Sequence, residues 1–163
     1  MFSGKRVDPG SAVLLAAFSG VSGEQLLDLG CGYGVLGIVL ARVFDMPVTL
    51  VDVNERAARL ARRNLKENGV SGRVSSGDLY DPVRGEQFHH IVTNPPLRAG
   101  KDLVHQMVVK APPHLVQRGS LWMVVRTRQG ALPLKERMLE VFGNVEEARK
   151  GSGYRVLRSV KGD

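Results

Sequence analysis

The sequence predicts a three-layer α/β/α fold built around a mostly parallel, seven-stranded sheet. Short apolar runs of strand length alternate with longer segments of helical periodicity, and this alternation favours parallel strands joined by crossover helices. Two strand-like runs at residues 144–149 and 154–160 follow each other without a helix and predict an antiparallel hairpin at the C-terminal edge. The chain has 163 residues, enough for one domain with its own core, so we expect a single domain over residues 1–163.

The first half of the chain carries clear start and stop signals for helices. Asp8 followed by Pro9 is typical of a helix N-terminus, and Gly20 ends that helix. Asn54 caps a later helix, and Asn68 with the glycine after it stops that helix. These signals and the apolar runs predict helices at residues 9–18, 35–44 and between 54 and 68, and strands at residues 25–29, 47–51 and 73–76.

The second half continues the alternation, with one irregular segment. Pro112 and Pro113 break or kink a helix before residues 114–117, because proline removes a backbone donor and clashes with the preceding turn. The last two strands are joined around Gly151 and Gly153. The expected elements are strands at residues 89–93 and 120–125, helices at residues 102–110 and 132–142, and the two hairpin strands.

Residues 26–34 combine an apolar run, an acidic residue and a glycine at every second position. Gly30, Gly32 and Gly34 can adopt positive φ angles and let a ligand lie against the backbone. Dinucleotide sites use the spacing G-x-G-x-x-G and bind pyrophosphate, which a nearby carboxylate would repel. Here Asp28 precedes a G-x-G-x-G spacing, and it suits a cationic ligand such as the ammonium and sulfonium of S-adenosylmethionine. The pattern resembles the first motif of class I methyltransferases; a glycine turn without a ligand is the alternative.

Acidic residues also follow the next two predicted strands. Asp52 stands 18 residues after Gly34, where its carboxylate can accept hydrogen bonds from both hydroxyls of a ribose. This position fits NAD as well as S-adenosylmethionine. Asp78 can accept from an adenine amino group, with Leu79 framing the ring, and a turn cap is the alternative for Asp78. Ligands of open α/β sheets bind beyond the carboxyl ends of the strands, so these residues predict one binding crevice.

The sharpest feature is the run from Asn94 through two prolines to Leu97, directly after a predicted strand. An exocyclic amine on a base is a poor nucleophile because its lone pair is delocalised into the ring. The amide oxygen of Asn94 and the backbone carbonyl of Pro95 can each accept one N–H and so localise that lone pair. Consecutive prolines fix φ and hold the acceptors in place. A purely structural Asn-Pro turn is the alternative.

Composition narrows the function classes. The net charge of +7 and the pI near 10.0 indicate a polyanionic partner, since Lys and Arg neutralise phosphates. Cys31 is the single cysteine, which excludes an internal disulfide and a zinc cluster of cysteines; we expect it to pack against the ligand and expect no metal site. No apolar run reaches the roughly 18 to 20 residues of a membrane helix. We therefore expect a cytoplasmic protein without a membrane partner, and a monomer is favoured.

Four segments together resemble the methyltransferase small domain family: the glycine motif and residues 51–57, 77–80 and 93–101. Within that family, residues 2–3 and 8–11, and Leu97 in place of an aromatic side chain, are most similar to guanine-N2 methyltransferases of small-subunit ribosomal RNA. The resemblance covers nearly the whole chain and implies a Rossmann-like class I methyltransferase fold. In bacterial relatives this domain follows a degenerate partner domain, and the present chain resembles the single-domain form.

The resemblance also implies roles for individual residues. Asn94 and Pro95 would hold the target amine. Phe2 is the candidate for stacking on the base, since Leu97 does so less well than an aromatic ring, and packing in the core is the alternative for Phe2. Pro96, Leu97, Arg98, Lys101 and His105 are expected beside the RNA, and a solvated helix face is the alternative for Lys101 and His105. The cofactor-binding residues would be Asp28, Gly30, Cys31, Gly32, Tyr33, Gly34, Asp52, Val53, Asp78, Leu79 and Asn94.

The sequence thus predicts an S-adenosylmethionine-dependent RNA N-methyltransferase that forms N2-methylguanine in small-subunit ribosomal RNA, with that RNA or the small subunit as partner and S-adenosylhomocysteine as product. DNA adenine and protein glutamine N-methyltransferases share the Asn-Pro-Pro segment but usually have an aromatic residue after the prolines. A non-catalytic module that binds cofactor and RNA would not need Asn94. The glycine spacing disfavours an NAD oxidoreductase.

Overall fold

The structure is a computed structural model, and it describes residues 7–96 and 100–163. Over these residues the strands are β1 (Leu26–Leu29), β2 (Val48–Asp52), β3 (Gly72–Ser76), β4 (Phe88–Thr93), β5 (Leu115–Arg126), β6 (Glu146–Gly151) and β7 (Tyr154–Val160). The α-helices are α1 (Pro9–Ala17), α2 (Val35–Phe44), α3 (Glu55–Glu67), α4 (Lys101–Val109) and α5 (Ala131–Phe142). None of these helices combines the length and the apolar character that crossing a membrane requires, as far as the described residues go.

A seven-stranded sheet in the order β3-β2-β1-β4-β5-β7-β6 carries the fold. The pairs β1–β2, β2–β3, β1–β4 and β4–β5 are parallel, whereas β7 is antiparallel to both β5 and β6. The predicted Rossmann-like class I methyltransferase fold, with its C-terminal hairpin, is therefore confirmed. Strand order reverses between β1 and β4, and the carboxyl ends of strands at such a switch point form a ligand crevice.

Two helical layers cover the sheet, and each has its own apolar core. Helices α1, α2 and α3 pack on one face, against sheet residues such as Leu26, Leu50 and Val92. Helices α4 and α5 pack on the other face, against residues such as Leu27 and Ile91. Successive side chains of a strand point to opposite faces, so Leu26 and Leu27 belong to different layers. Burial on both faces explains why the central strands are continuous apolar runs.

The starts of α1 and α3 agree with the predicted capping residues. At the N-terminus of α1, Asp8 Oδ1 accepts a hydrogen bond from Ser11 N at 3.1 Å. At the N-terminus of α3, Asn54 Oδ1 accepts from Arg56 N at 2.9 Å and from Ala57 N at 3.2 Å. These side chains satisfy backbone N–H groups that have no partner inside the helix. Local sequence therefore determines where both helices begin.

One stretch differs from the prediction. Residues 114–117 were expected beyond a break or kink in a helix, but β5 already begins at Leu115, immediately after a 3₁₀ helix at Pro112–His114. Arg118 interrupts the strand pattern with a positive φ of 66° and an exposed side chain. Tertiary pairing with β4 extends β5 through a segment whose own sequence does not favour a strand.

Candidate active site

A cavity of about 690 Å³ opens beside the carboxyl ends of β1, β2, β3 and β4. This is the place where the strand order reverses, as expected for a ligand site in an open α/β sheet. Nine residues that the sequence places in the site line the cavity: Gly30, Gly32, Tyr33, Asp52, Val53, Asp78, Leu79, Asn94 and Pro96.

The glycine loop forms one wall of the cavity and exposes its backbone. Gly30, Gly32 and Gly34 have positive φ angles of 72°, 56° and 90°. A Cβ atom at Gly32 would meet no heavy atom within 4 Å, so open space lies beside this backbone. A Cβ at Gly34 would instead lie 2.9 Å from Ile38 Cδ1 and 3.1 Å from Leu50 Cδ1, and Gly34 is not among the lining residues. Gly30 and Gly32 therefore shape the cavity, whereas Gly34 allows α2 to pack closely on β2.

Asp52 holds its carboxylate in a fixed orientation at the end of β2. Its Oδ2 accepts a hydrogen bond from Gly32 N at 2.8 Å, and its Oδ1 accepts from Asn54 N at 2.8 Å. Each carboxylate oxygen has a further lone pair, so both oxygens can still accept from hydroxyl groups in the cavity. The two backbone contacts thus preorganise an acceptor pair of the kind that suits a ribose diol.

Val53 and Leu79 supply apolar surface to the cavity beside the acidic residues. Val53 is 71% exposed, although its side chain is apolar. After β3, a Cβ at Gly77 would lie 2.5 Å from Pro82 Cγ, so the turn that presents Asp78 and Leu79 requires glycine there. Exposed apolar surface next to hydrogen-bond acceptors suits a heteroaromatic ring.

Asp28 is buried and is absent from the described lining of the cavity. Only 2% of the residue is exposed, and its Oδ2 accepts a hydrogen bond from Gly37 N, in the first turn of α2, at 2.9 Å. Burial raises the pKa of the Asp28 carboxyl to about 7; the bond from Gly37 opposes this rise and the nearby Asp52 charge adds to it. Asp28 thus joins β1 to α2, and its contact with a cationic ligand stays a prediction.

Asn94, at the end of β4, is oriented by two neighbours from the start of the chain. Its Nδ2 donates to Asp8 Oδ1 at 3.0 Å and to Ser11 Oγ at 3.0 Å. An amide nitrogen carries two hydrogens, so both are engaged. A carboxylate at neutral pH only accepts hydrogen bonds, so the contact with Asp8 requires the nitrogen, not the oxygen, to face it. The Oδ1 atom is what Asn94 can offer to a ligand in the cavity.

Other predicted site residues lie outside the described lining. Cys31 is buried in the glycine loop, and burial raises the pKa of its thiol. Pro95 is half-buried, Lys101 is exposed at the start of α4, and His105 is half-buried in the same helix. In the described part of the chain, no three His, Cys, Asp or Glu side chains form a group that could hold a metal ion. The roles of Phe2, Leu97 and Arg98 stay predictions, because these residues lie outside the described ranges.

The sequence patterns did not reveal the helical wall of the cavity. Arg56, Ala57 and Leu60 of α3 and Leu103 and Met107 of α4 also line it. Both helices begin at the same edge of the sheet at which the preceding strands end, so their first two turns face the crevice. The helical spacing of these residues was the available signal, since positions three to four apart share one face.

The sequence matches the methyltransferase small domain over residues 1–158. The chain belongs to the methyltransferase small domain family. One relative, the uncharacterised protein YbxB of Bacillus subtilis, is 40% identical over 165 residues, which cover 99% of this chain and 82% of the relative. Ribosomal RNA small subunit methyltransferase C of Alcanivorax borkumensis is 35% identical over 167 residues, covering 98% of this chain and 50% of the relative. The chain spans about half the length of the relatives that carry this second name.

Several solved structures of methyltransferases have the same fold as this chain. The 16S rRNA N2 G1207 methyltransferase RsmC of Thermus thermophilus, in complex with AdoMet and guanosine, is similar with a TM-score of 0.85 and 31% identity. The similarity covers 98% of this chain and 45% of RsmC. A methyltransferase from Pyrococcus furiosus has a TM-score of 0.80 and 25% identity, over 92% of this chain and 80% of that protein.

Proposed function

We propose that this chain is an S-adenosylmethionine-dependent RNA N-methyltransferase that methylates the exocyclic N2 of a guanine in small-subunit ribosomal RNA. Family membership establishes the general class, a methyltransferase. The likeness to RsmC, whose name specifies 16S rRNA and guanine N2, supports the finer assignment. The orientation of Asn94 is the observation within this chain that carries the proposal. A ribosomal substrate also implies that the enzyme acts in the cytoplasm.

The volume of the cavity and the acceptors and apolar groups that line it suit S-adenosylmethionine. The open backbone of the glycine loop leaves room for the amino-acid portion of the cofactor. Asp52 offers two acceptors for the ribose hydroxyls, Val53 and Leu79 offer apolar surface for the adenine ring, and Asp78 can accept from the adenine amine. When bound, the cofactor supplies a methyl group activated by a positively charged sulfur.

Asn94 supplies the acceptor that the target amine needs. With both N–H groups held by Asp8 and Ser11, its Oδ1 can accept one N–H of the amine, and the backbone carbonyl of Pro95 is proposed to accept the other. These bonds localise the nitrogen lone pair and strengthen as positive charge develops on nitrogen, so they favour the transition state. The proton becomes acidic only after nitrogen has gained the methyl group, so it can leave to water without a general base.

The target base must leave its stack to reach the cavity. A base inside a helix cannot place its amine in line with a buried methyl donor, so single-stranded or extruded nucleotides are the substrates that fit. DNA adenine carries an exocyclic amine and glutamine a side-chain amide. In both groups the nitrogen lone pair is delocalised, so the cavity residues alone would serve them too. The net charge of +7 and the names of the relatives favour RNA.

The substrate class can be tested by methyl transfer from labelled S-adenosylmethionine. The purified chain is incubated separately with bacterial 16S ribosomal RNA, isolated small subunits, duplex DNA and a ribosomal protein mixture, and the labelled RNA is digested to nucleosides. We expect label in RNA, as N2-methylguanosine. Label confined to DNA or protein, or a different methylated nucleoside, would contradict the proposal.

Replacing Asn94 tests the catalytic role. Asn94→Ala removes one of two preorganised acceptors, and we expect kcat to fall about 100-fold to 1,000-fold, as for loss of one donor from an oxyanion hole. Affinity for S-adenosylhomocysteine should change little. Asn144→Ala is the matched control, because Asn144 also makes side-chain hydrogen bonds but contacts Val160, which pairs with Ser120 in the amino-terminal half of β5. Near-wild-type kcat in Asn94→Ala would reduce the Asn-Pro-Pro turn to a structural role.

A further inference from the structure

A second cleft, of about 500 Å³, lies between the end of β5 and the turn of the β6–β7 hairpin. Residues 126–129 form one wall and residues 150–154 form the other. Three of its side chains are basic and exposed: Arg126, Arg128 and Lys150. No carboxylate is among the lining residues that the structure describes. The cleft, which we name the basic cleft, is therefore concave and positively charged.

The charge of the basic cleft is not neutralised by its neighbours. Its three cationic side chains form no salt bridge with any residue in the ranges 7–96 and 100–163. The acidic residues of the hairpin are used elsewhere, since Glu147 pairs with Arg155 at 3.4 Å and Glu146 pairs with Arg158 at 3.0 Å. Uncompensated cations in a concave surface attract a polyanion.

The basic cleft adjoins the candidate active site through the start of α1. Tyr154 lines the cleft, and its ring lies so close to Gly10 that a Cβ there would be 3.0 Å from Tyr154 Cε1. The next residue, Ser11, accepts one of the two hydrogen bonds that orient Asn94. On the cleft side, the guanidinium of Arg126 lies over the same tyrosine ring, 5.3 Å from its centre. One tyrosine thus separates the basic cleft from the residues that hold Asn94.

Backbone contacts hold both walls of the basic cleft. Thr127 N donates to Gly153 O at 2.9 Å, and Arg126 pairs with Tyr154 in the β5–β7 ladder. Ser152 and Gly153 have φ angles of 51° and 80°, as a tight hairpin turn requires. The cleft therefore lies at the carboxyl end of β5, on the same edge of the sheet as the active-site cavity.

We infer that the basic cleft binds the phosphate backbone of the RNA whose target base enters the active-site cavity. This inference rests on the proposed function, since it takes RNA as the substrate. Nucleotides that flank an extruded base must leave the cavity along the protein surface, and their phosphates need cationic contacts. Arginine suits bidentate phosphate contact and lysine a point contact. Such contacts position the RNA and leave recognition of the base to the cavity.

Charge reversal tests the basic cleft. We would measure the Kd of the full chain for a labelled single-stranded fragment of bacterial 16S ribosomal RNA at several salt concentrations. The proteins compared are wild type, Arg128→Glu, Lys150→Glu and the double variant. Each lost contact should weaken binding about fivefold at 0.1 M salt and lower the slope of log Kd against log salt by about 0.7. Lys110→Glu is the matched control, because Lys110 is also exposed and without a salt bridge in the described residues, but lies before β5 begins, at the opposite edge. Affinity for S-adenosylhomocysteine and thermal stability verify that each variant is folded.

The outcomes separate this inference from the proposed function. Weaker RNA binding with a flatter salt slope in the cleft variants, but not in Lys110→Glu, supports the basic cleft as the RNA path. If wild type methylates RNA while the cleft variants bind RNA as wild type does, the inference is overturned and the function stands. Equal losses in Lys110→Glu and Lys150→Glu also overturn it, because only net charge would then matter. Methyl transfer by wild type to DNA or protein but not to RNA overturns the function itself.

Discussion

At the scale of single residues, Asn94 and Asp28 show how neighbours decide what a polar side chain offers. Both N–H groups of Asn94 are engaged by Asp8 and Ser11, so its oxygen remains for a ligand. Asp28 uses one oxygen to hold Gly37 N at the start of α2. The first arrangement presents an acceptor to the cavity, and the second joins a strand to a helix beneath the glycine loop.

The buried carboxyl of Asp28 predicts a pH-dependent stability. Burial raises its pKa from an ordinary value of 3.8 to about 7 in the folded chain, so the folded state holds this proton more tightly than the unfolded state. The stabilisation from Asp28 is therefore complete below about pH 4 and is lost as pH rises to about 7. Relative to Asp28→Asn, the free energy of unfolding of wild type should fall by up to about 1.4 kcal/mol per pH unit across this window.

Denaturant unfolding between pH 4 and pH 8 measures this difference. The readout is the slope against pH and not the offset between variants, because an asparagine can still accept from Gly37 N but adds a buried N–H group. Asp102→Asn serves as the control for loss of a carboxylate outside the core, since Asp102 is exposed in the first turn of α4. Parallel curves for wild type and Asp28→Asn would show that the Asp28 carboxyl titrates at its ordinary pKa.

Polar residues at strand ends predict which residues line the cavity. They do not predict which other side chains or backbone groups those residues contact. Asp52, Asp78 and Asn94 line the cavity where the sequence places them, because each follows a strand of the same parallel sheet. The pleat of β1 decides which helical layer the Asp28 side chain faces. Leu27 faces the α4–α5 layer, so the side chain of the next residue, Asp28, faces α2. Asn94 contacts residues 86 and 83 positions away, and no local pattern predicts such pairs.

At the scale of elements, the start of α1 serves both stability and the site, because Asp8 caps the helix and anchors Asn94. Asp8→Ala should lower the free energy of unfolding by about 1 kcal/mol through loss of the cap. It should also lower kcat about tenfold, with little change in KM, because Asn94 loses a charged anchor. Unfolding and steady-state methyl-transfer kinetics measure the two effects.

Asp8→Asn is the matched control for the role of α1. An asparagine at this position also caps helices, and its amide oxygen can accept from Ser11 N and from Asn94. Stability and kcat should both stay near wild type. Should Asp8→Ala lose stability and keep its kcat, Asp8 would be a helix cap alone.

Helices and strands with strong local signals could be predicted closely, and the exception has a physical cause. The N-terminal caps Asp8 and Asn54 mark their helices because they satisfy backbone groups locally. The first part of β5 carries no such signal: Gln117 and Arg118 are exposed, and Arg118 has a positive φ. That segment is a strand because β4 lies beside it, and tertiary pairing is not encoded in nearby residues.

At the scale of the whole molecule, the cavity draws its lining from four strand ends and two helices. The residues that line it extend from Leu29 to Met107, and residues far apart in sequence meet only in the folded chain. A ligand of this cavity therefore binds the folded state and not the unfolded chain. Binding must then raise the midpoint of thermal unfolding, by an amount that follows from the ligand concentration and its Kd.

S-adenosylhomocysteine should raise the Tm of this chain, whereas NAD should not. At a concentration of about 100 times Kd, a ligand adds about 2.7 kcal/mol, which corresponds to about 5 to 10 °C for a domain of this size.

Asp52→Ala removes the carboxylate that is proposed to accept charge-assisted hydrogen bonds from the ribose, and we expect binding to weaken by about 1.5 to 3 kcal/mol. At the same ligand concentration its Tm shift should be half of wild type or less. Each shift is measured against the same variant without ligand, because Asp52 also holds Gly32 N and Asn54 N, and its loss lowers the starting Tm. Stabilisation by NAD alone would reject S-adenosylmethionine as the cofactor, and an undiminished shift in Asp52→Ala would place the ribose elsewhere in the cavity.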